Sequence, residues 1–197
     1  GHATSDINKH MTRVACQTCH IDSYARNAVD TTATEATEVF RDWQQPNLGT
    51  TGIYHPLMRM ENDLIPVYTF WNGTSWAYDL FDVAAPAANG TYPISRPLGG
   101  INDPKAKLYP FKYKTASQPL ATLTNQLIPV DTSVYFASGN LYNAVNSGLV
   151  NLGLTSGAPY QMVTTDEYQV LNHEIAPKDQ ALTCANCHGA SARVNLK

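Results

Sequence analysis

Cys16-Gln17-Thr18-Cys19-His20 and Cys184-Ala185-Asn186-Cys187-His188 decide how this chain is read. Between them they hold all four cysteines, with none left over. Each is the Cys-x-x-Cys-His pattern of c-type haem attachment. Two thiols three residues apart lie on one side of a helical turn, where they can add to the two vinyl groups of one porphyrin. The next residue, His20 or His188, is then carried under the iron as its proximal ligand. Other readings explain less. Zinc ribbons separate their cysteine pairs by about 15–20 residues, whereas these pairs stand at opposite ends of the chain. A redox dithiol explains neither the histidine after both pairs nor the second copy. A Cys16–Cys19 disulfide would close a very tight, strained loop. The expected cofactor is haem c, two per chain.

The flanks support helices at both places. Ser5 or Asp6 can cap a segment in which Ile7, Met11 and Val14 recur at helical spacing into Cys16, predicting a helix over residues 5–20. Pro177 suits the first turn of a second helix, residues 178–188, and Gly189 suits its end.

Each iron needs a second axial ligand or an open position for chemistry. The other histidines are His2, His10, His55 and His173, and the methionines are Met11, Met58, Met60 and Met162. Histidines flanking the motifs favour bis-histidine iron. On an unbroken helix His10 lies about 15 Å along the axis from His20, too far to sandwich the same porphyrin. His10 is therefore expected at the haem held by Cys184 and Cys187, and His173, before the break at Pro177, at the first haem. Such a crossed arrangement pins the two ends of the chain together. His2 could ligate a haem in a neighbouring subunit or an upstream domain. His55 has no assigned role, and Met58 and Met60 read as core or strand packing.

At 197 residues and a formal charge of −3, the chain is large enough for one domain with a sizeable core and gives no reason to expect a nucleic-acid or anionic-membrane partner. No window is apolar enough to span a bilayer, and no secretory leader stands at the start, so the sequence is expected to be mature or trimmed protein. Tyr, Trp, Thr, Asn and Pro are plentiful while Lys, Glu and Leu are scarce, which predicts many turns and little regular structure. Within the middle, Val67–Trp71, Asn72-Gly73 and residues 74–78 predict a β-hairpin. Residues 109–114 predict a short edge strand because of Pro110. Residues 140–152 predict a helix ending at Gly153. Thr164 with Glu167 forms a capping-box pattern that would start a helix ending near His173. Residues 84–100 and 153–159 read as loops. Trp43, Trp71 and Trp76 read as core or porphyrin packing rather than a glycan platform. Lys105, Lys107, Lys112 and Lys114 read as a solvated loop, with pairing to haem propionates as the alternative.

Residues 10–21, 103–112, 172–177 and 181–188, with Trp43 and the Trp71-Asn-Gly-Thr stretch, resemble the octahaem tetrathionate reductase and hydroxylamine-oxidoreductase-like group of multihaem cytochromes. Residues 115–163 are not placed by it. The resemblance implies attachment at Cys16/Cys19 and Cys184/Cys187, proximal His20 and His188, distal roles for His10 and His173, and export with haem attachment outside the cytoplasmic membrane. It also implies a departure. Those enzymes have eight motifs against two here, and no lysine-ending motif of the related nitrite reductases is present, so the group's enzymatic activity is not carried over.

The expected fold is mostly irregular, mixed α+β with few short helices and hairpins, organised around two covalently bound haems. It forms a single dihaem domain over residues 1–197, with the haem-binding ends 1–25 and 165–192 packed together and a loop- and hairpin-rich middle at 40–163. The expected function is electron transfer between redox proteins, or copies of this chain, in the periplasm or outside the cell, as an oligomer, filament or unit of a larger multihaem assembly. An electron carrier is favoured over an enzyme. The rivals are a haem-dependent reductase of small nitrogen or sulfur oxyanions, which needs one five-coordinate iron and a pocket, and a binding protein whose haems only staple the fold.

Overall fold

The computed structural model describes residues 4–26, 36–190 and 192–194. The chain is mixed α/β, with five short helices and nine strands among the described residues. Its spine is β7, Lys107–Ala121, a strand of 15 residues. All 11 residues of β9, Tyr160–Val170, pair antiparallel with it, from Phe111↔Val170 to Ala121↔Tyr160. β1 (Thr37–Leu48) pairs parallel with β7 at residues 115–117 and antiparallel with β2 (Tyr54–Glu61). β3 (Val67–Trp71) covers residues 107–111 of β7, and β8 (Gln126–Leu127) covers its far end. β5 (Tyr92–Pro93) lies outside β9, while β4 (Ser75–Ala77) and β6 (Ser95–Pro97) form a separate pair.

Several local signals give way to this sheet. Thr164 and Glu167 sit in β9 and not in a helix, because Val163, Thr164, Thr165, Tyr168 and Val170 are β-branched or aromatic and a long partner strand satisfies the whole backbone. Asn72-Gly73 does not close a hairpin. β3 pairs with β7 and β4 with β6, while the Asn72 side-chain oxygen accepts from the Thr74 N–H at 3.1 Å. Nor does Pro110 mark an edge. In a strand the N–H and C=O of one residue face the same neighbour, and the Pro110 carbonyl accepts from Leu171, just past the end of β9. The missing donor therefore falls where the ladder has stopped. Lys107, Lys112 and Lys114 belong to this strand and not to a solvated loop. Lys114 is largely buried between Glu38 at 2.9 Å and Glu167 at 3.4 Å, and the Lys112 ammonium donates to Thr37 Oγ1 at 2.6 Å. Residues 84–100 contain two short strands within otherwise irregular chain.

At one end of the sheet α3 (Thr132–Ser138) and α4 (Leu141–Asn151) pack together. Asn140 caps α4 through the Asn143 N–H, and Val145, Leu149 and Leu152 pack on Ala121 and Ile128. Trp43 packs edge-on against Tyr135, whose hydroxyl donates to the Trp43 carbonyl at 2.9 Å. At the other end, where β7 begins and β9 finishes, Tyr109 and Phe111 pack with Trp71, Tyr168 and Ala15. Leu171 there meets Ile21 and Tyr24. Both ends of the chain gather at this second pole.

The predicted helix over residues 5–20 is divided. α1 runs Ser5–His10 and α2 runs Cys16–His20. Between them residues 11–13 turn and the chain then bridges to β7: Leu108 N–H donates to the Arg13 carbonyl at 2.8 Å, and Ala15 N–H donates to the Leu108 carbonyl at 3.0 Å. The helix predicted over residues 178–188 shrinks to α5, Cys184–His188. Leu182 N–H donates to the Cys19 carbonyl, so it is not available to a helical partner.

Candidate haem-binding site

The first motif is one helical turn fixed to the sheet. Thr18, buried, donates through Oγ1 to the Leu108 carbonyl at 2.7 Å. That bond turns the Thr18 side of α2 onto β7 and leaves Cys16 exposed and Cys19 half-buried. The Ala176 N–H donates to the His20 carbonyl at 2.6 Å, and His20 Nδ1 lies 2.9 Å from the Ala176 carbonyl. A backbone carbonyl beside Nδ1 accepts a hydrogen bond from the Nδ1–H tautomer, which keeps the proton on Nδ1 and leaves Nε2 as the lone-pair nitrogen, the usual way a protein orients a ligating imidazole.

The second motif is built the same size but hangs more freely. Thr183 N–H and Oγ1 both donate to Asn186 Oδ1, at 2.8 and 2.7 Å, fixing the first turn of α5. Gly189 ends the turn where a Cβ would collide with the Ala185 carbonyl. The helix buries none of its own residues. Beyond it, Arg193 Nη1 donates to the Asp22 carbonyl at 2.6 Å and ties the second motif's exit to the first motif's.

The two motifs share one locale. Besides the 2.8 Å bond from Leu182 to Cys19, the thiols influence one another. Burial pushes the Cys19 thiol up, and Cys187, Cys16 and Cys184 add to the effect in that order. Burial also raises Cys187, with Arg193 opposing. Tyr68 stands between the motifs: burial pushes its hydroxyl up to about 12, with Cys187 and Asp22 adding and Arg193 opposing, and the hydroxyl is 3.5 Å from the Ile21 carbonyl.

His10 ends α1, and its ring centroid lies 5.9 Å from that of His188 at an interplanar angle of 64°. With metal–imidazole bonds of about 2 Å, two rings on opposite faces of one iron stand about 6 Å apart. His10 Nδ1 lies 2.8 Å from the Asp6 carbonyl. His10 therefore meets the second motif, although the helix whose length suggested this is broken. His173 stands three residues before Ala176, on the segment that clasps His20. Its side chain is 68% exposed, with Nδ1 3.2 Å from Glu174 Oε1. It lines a cavity of about 290 Å³ with Tyr24, Lys112 and Glu174. His55 lies on β2 against Phe136, 5.7 Å between centroids, and not with the motifs. Met58 and Met60 are exposed on β2. His2 lies outside the described residues.

These residues fit haem c. Two cysteine pairs each precede a histidine, and the ring of His10 stands 5.9 Å from that of His188. α1, which carries His10, and α5, which carries the second motif, bury none of their own residues, and Ile7 and Met11 are exposed beside His10, an apolar flank suited to a porphyrin plane. Among the described residues no three His, Cys, Asp or Glu side chains converge to hold a bare metal ion. Tyr68, Ala176, Arg193 and the pair Arg26–Glu174 were not visible as site residues in the sequence. Their contacts join positions 47 to 171 residues apart, and no local pattern marks them.

Comparison with known proteins agrees with this chemistry. None of the curated proteins compared matches the chain. A solved structure, the octaheme cytochrome c from Shewanella oneidensis, is similar over 95% of this chain with 29% sequence identity and a TM-score of 0.78. This chain covers 45% of that protein, less than half its length. The family model described as bacterial cytochrome c matches residues 55–191, the span from β2 through the second motif. The chain belongs to the bacterial cytochrome c family, haem-binding proteins with a redox or electron-transfer role.

Proposed function

We propose that this chain carries two covalently attached haems and passes single electrons between redox proteins outside the cytoplasm. Cys16 and Cys19 hold one haem with His20 as proximal ligand, and Cys184 and Cys187 hold the other with His188. His10 completes the axial pair with His188, and His173 completes that with His20. The observation that carries this reading is the 5.9 Å approach of His10 to His188 across most of the chain's length.

Bound haem supplies a one-electron ferric/ferrous couple. One electron enters from a donor protein and one leaves to an acceptor, with no atom transferred. The chain's residues keep the two centres fixed and close. Thr18 and Leu108 hold the first motif to the sheet, Leu182 holds the second motif's approach to Cys19, and Tyr68 fills the space between. The fold over residues 1–197 acts as one unit. Export follows from the resemblance set out above, since haem is attached to that group beyond the cytoplasmic membrane. Among the described residues no helix is long and apolar enough to cross a membrane. The relative's greater length supports a place for this unit within a larger multihaem assembly, in which His2 would serve a haem of a neighbour.

One observation favours a second reading, a reductase of small nitrogen or sulfur oxyanions. The cavity beside His173 holds Lys112, a proton donor such chemistry would use. Carbon monoxide titration of the reduced holoprotein separates the two. Electron transfer through two bis-histidine sites predicts no binding, while binding at near one equivalent per chain identifies an open iron and favours the reductase.

A further inference from the structure

We propose that Glu174 separates the two redox centres in potential by holding a fixed negative charge against His173. This rests on the reading of His173 as an axial ligand of the first site.

Three observations carry it. Glu174 Oε1 lies 3.2 Å from His173 Nδ1. The carboxylate cannot drift away, because Oε1 accepts the Ala25 N–H at 2.9 Å and Oε2 accepts the Arg26 N–H at 3.1 Å and Arg26 Nε at 3.4 Å. The residue itself is clamped, with φ at +60° in the left-handed region that a glutamate rarely adopts, and with its carbonyl bound by the Arg26 guanidinium. Such a conformation persists only where its surroundings enforce it. His10 and His20 differ from His173 in the group they face. His10 Nδ1 meets the Asp6 carbonyl and His20 Nδ1 the Ala176 carbonyl, both neutral.

An anion against an axial imidazole raises its basicity and favours the oxidised, more positive state of the site over the reduced one. The first site therefore takes up its electron at the lower potential, and the second, where His10 faces the neutral Asp6 carbonyl, at the higher. An electron entering at the first site runs downhill to the second. Solvent around His173 and the Arg26 cation moderate the effect without reversing it.

The test is voltammetry of the holoprotein with spectroscopy of its haem spin state. His173→Ala is made first, to identify the first site by its conversion to high spin. If both haems stay low-spin in that variant, the ligand reading fails and this inference goes with it. With the ligand established, Glu174→Gln should move the first site's wave positive, by about three- to tenfold in its oxidised-to-reduced ratio at fixed potential, where tenfold is 59 mV for one electron. The second wave should stay in place. Arg26→Gln, which leaves the carboxylate uncompensated, should move the first wave negative. Opposite shifts confined to one wave support the proposal. Unmoved waves, or shifts of the same sign in both variants, overturn it.

Discussion

His10 carries more of the account than any other side chain outside the two motifs. It stands at the last position of a six-residue helix that buries nothing, yet its ring meets that of His188. In the proposed site, replacing it with alanine would remove an axial ligand and leave the thioether-linked haem attached. His10→Ala should therefore keep its full haem content and convert one of the two haems to high spin, read from the absorption spectrum and electron paramagnetic resonance. A wholly low-spin spectrum would remove His10 from the site. The sequence singles out the six motif residues, His10 and His173, because haem attachment imposes a fixed local spacing and both histidines lie shortly upstream of a motif; the structure brings His10 to His188. Tyr68 and Glu174 were not, because their partners Ile21 and Arg26 lie 47 and 148 residues away.

At the scale of elements, local signals succeeded where an element depends on its own periodicity and failed where a distant strand decides. α4 was legible because Leu141, Ala144, Val145 and Leu149 recur at helical intervals between Asn140 and Gly153. β9 was not, since the Thr164–Glu167 capping pattern is outweighed by a ladder along its full length to β7. The broken helix before Cys16 has the same cause, a bridge from Val14 to Leu108 that nothing within residues 5–20 announces. Two predictions belong here. Gly148 lets α4 lie directly against the Pro129 carbonyl, and an added Cβ would also come 2.8 Å from Ile128 Cγ2. Gly148→Ala should cost about 1–3 kcal/mol through overpacking, measured by denaturant unfolding. Asp131 caps α3, and hydrogen bonds from the Ser133 and Ser147 hydroxyls and the Val134 N–H lower its pKa from 3.8 to about 2. A depressed carboxylate contributes stability that is present above its unfolded pKa and lost as pH falls through the folded one. Melting temperatures should thus fall between about pH 4 and pH 2, and Asp131→Asn should lower the plateau above pH 4 and flatten that part of the decline. A variant with the same acid profile as the parent would contradict the assignment.

Across the whole molecule, the long sheet acts as a spacer with the two helices α3 and α4 at one pole and both chain ends at the other. The middle of the sequence looked short of regular structure because its strands are rich in Tyr, Thr, Pro and Gln and lack a clean alternation. They belong to a sheet whose faces meet separate small clusters and not one continuous core. That division places stability in the sheet and leaves the pole with the motifs to be completed by the groups it binds. Two attached haems are therefore the claim on which the functional reading stands. Intact-mass measurement of the protein purified from a host that attaches haem c tests it most directly. The account predicts the mass of the chain plus two haem groups, surviving acid extraction because both are thioether-linked. A mass equal to the bare chain, or to the chain with a single haem, would contradict it.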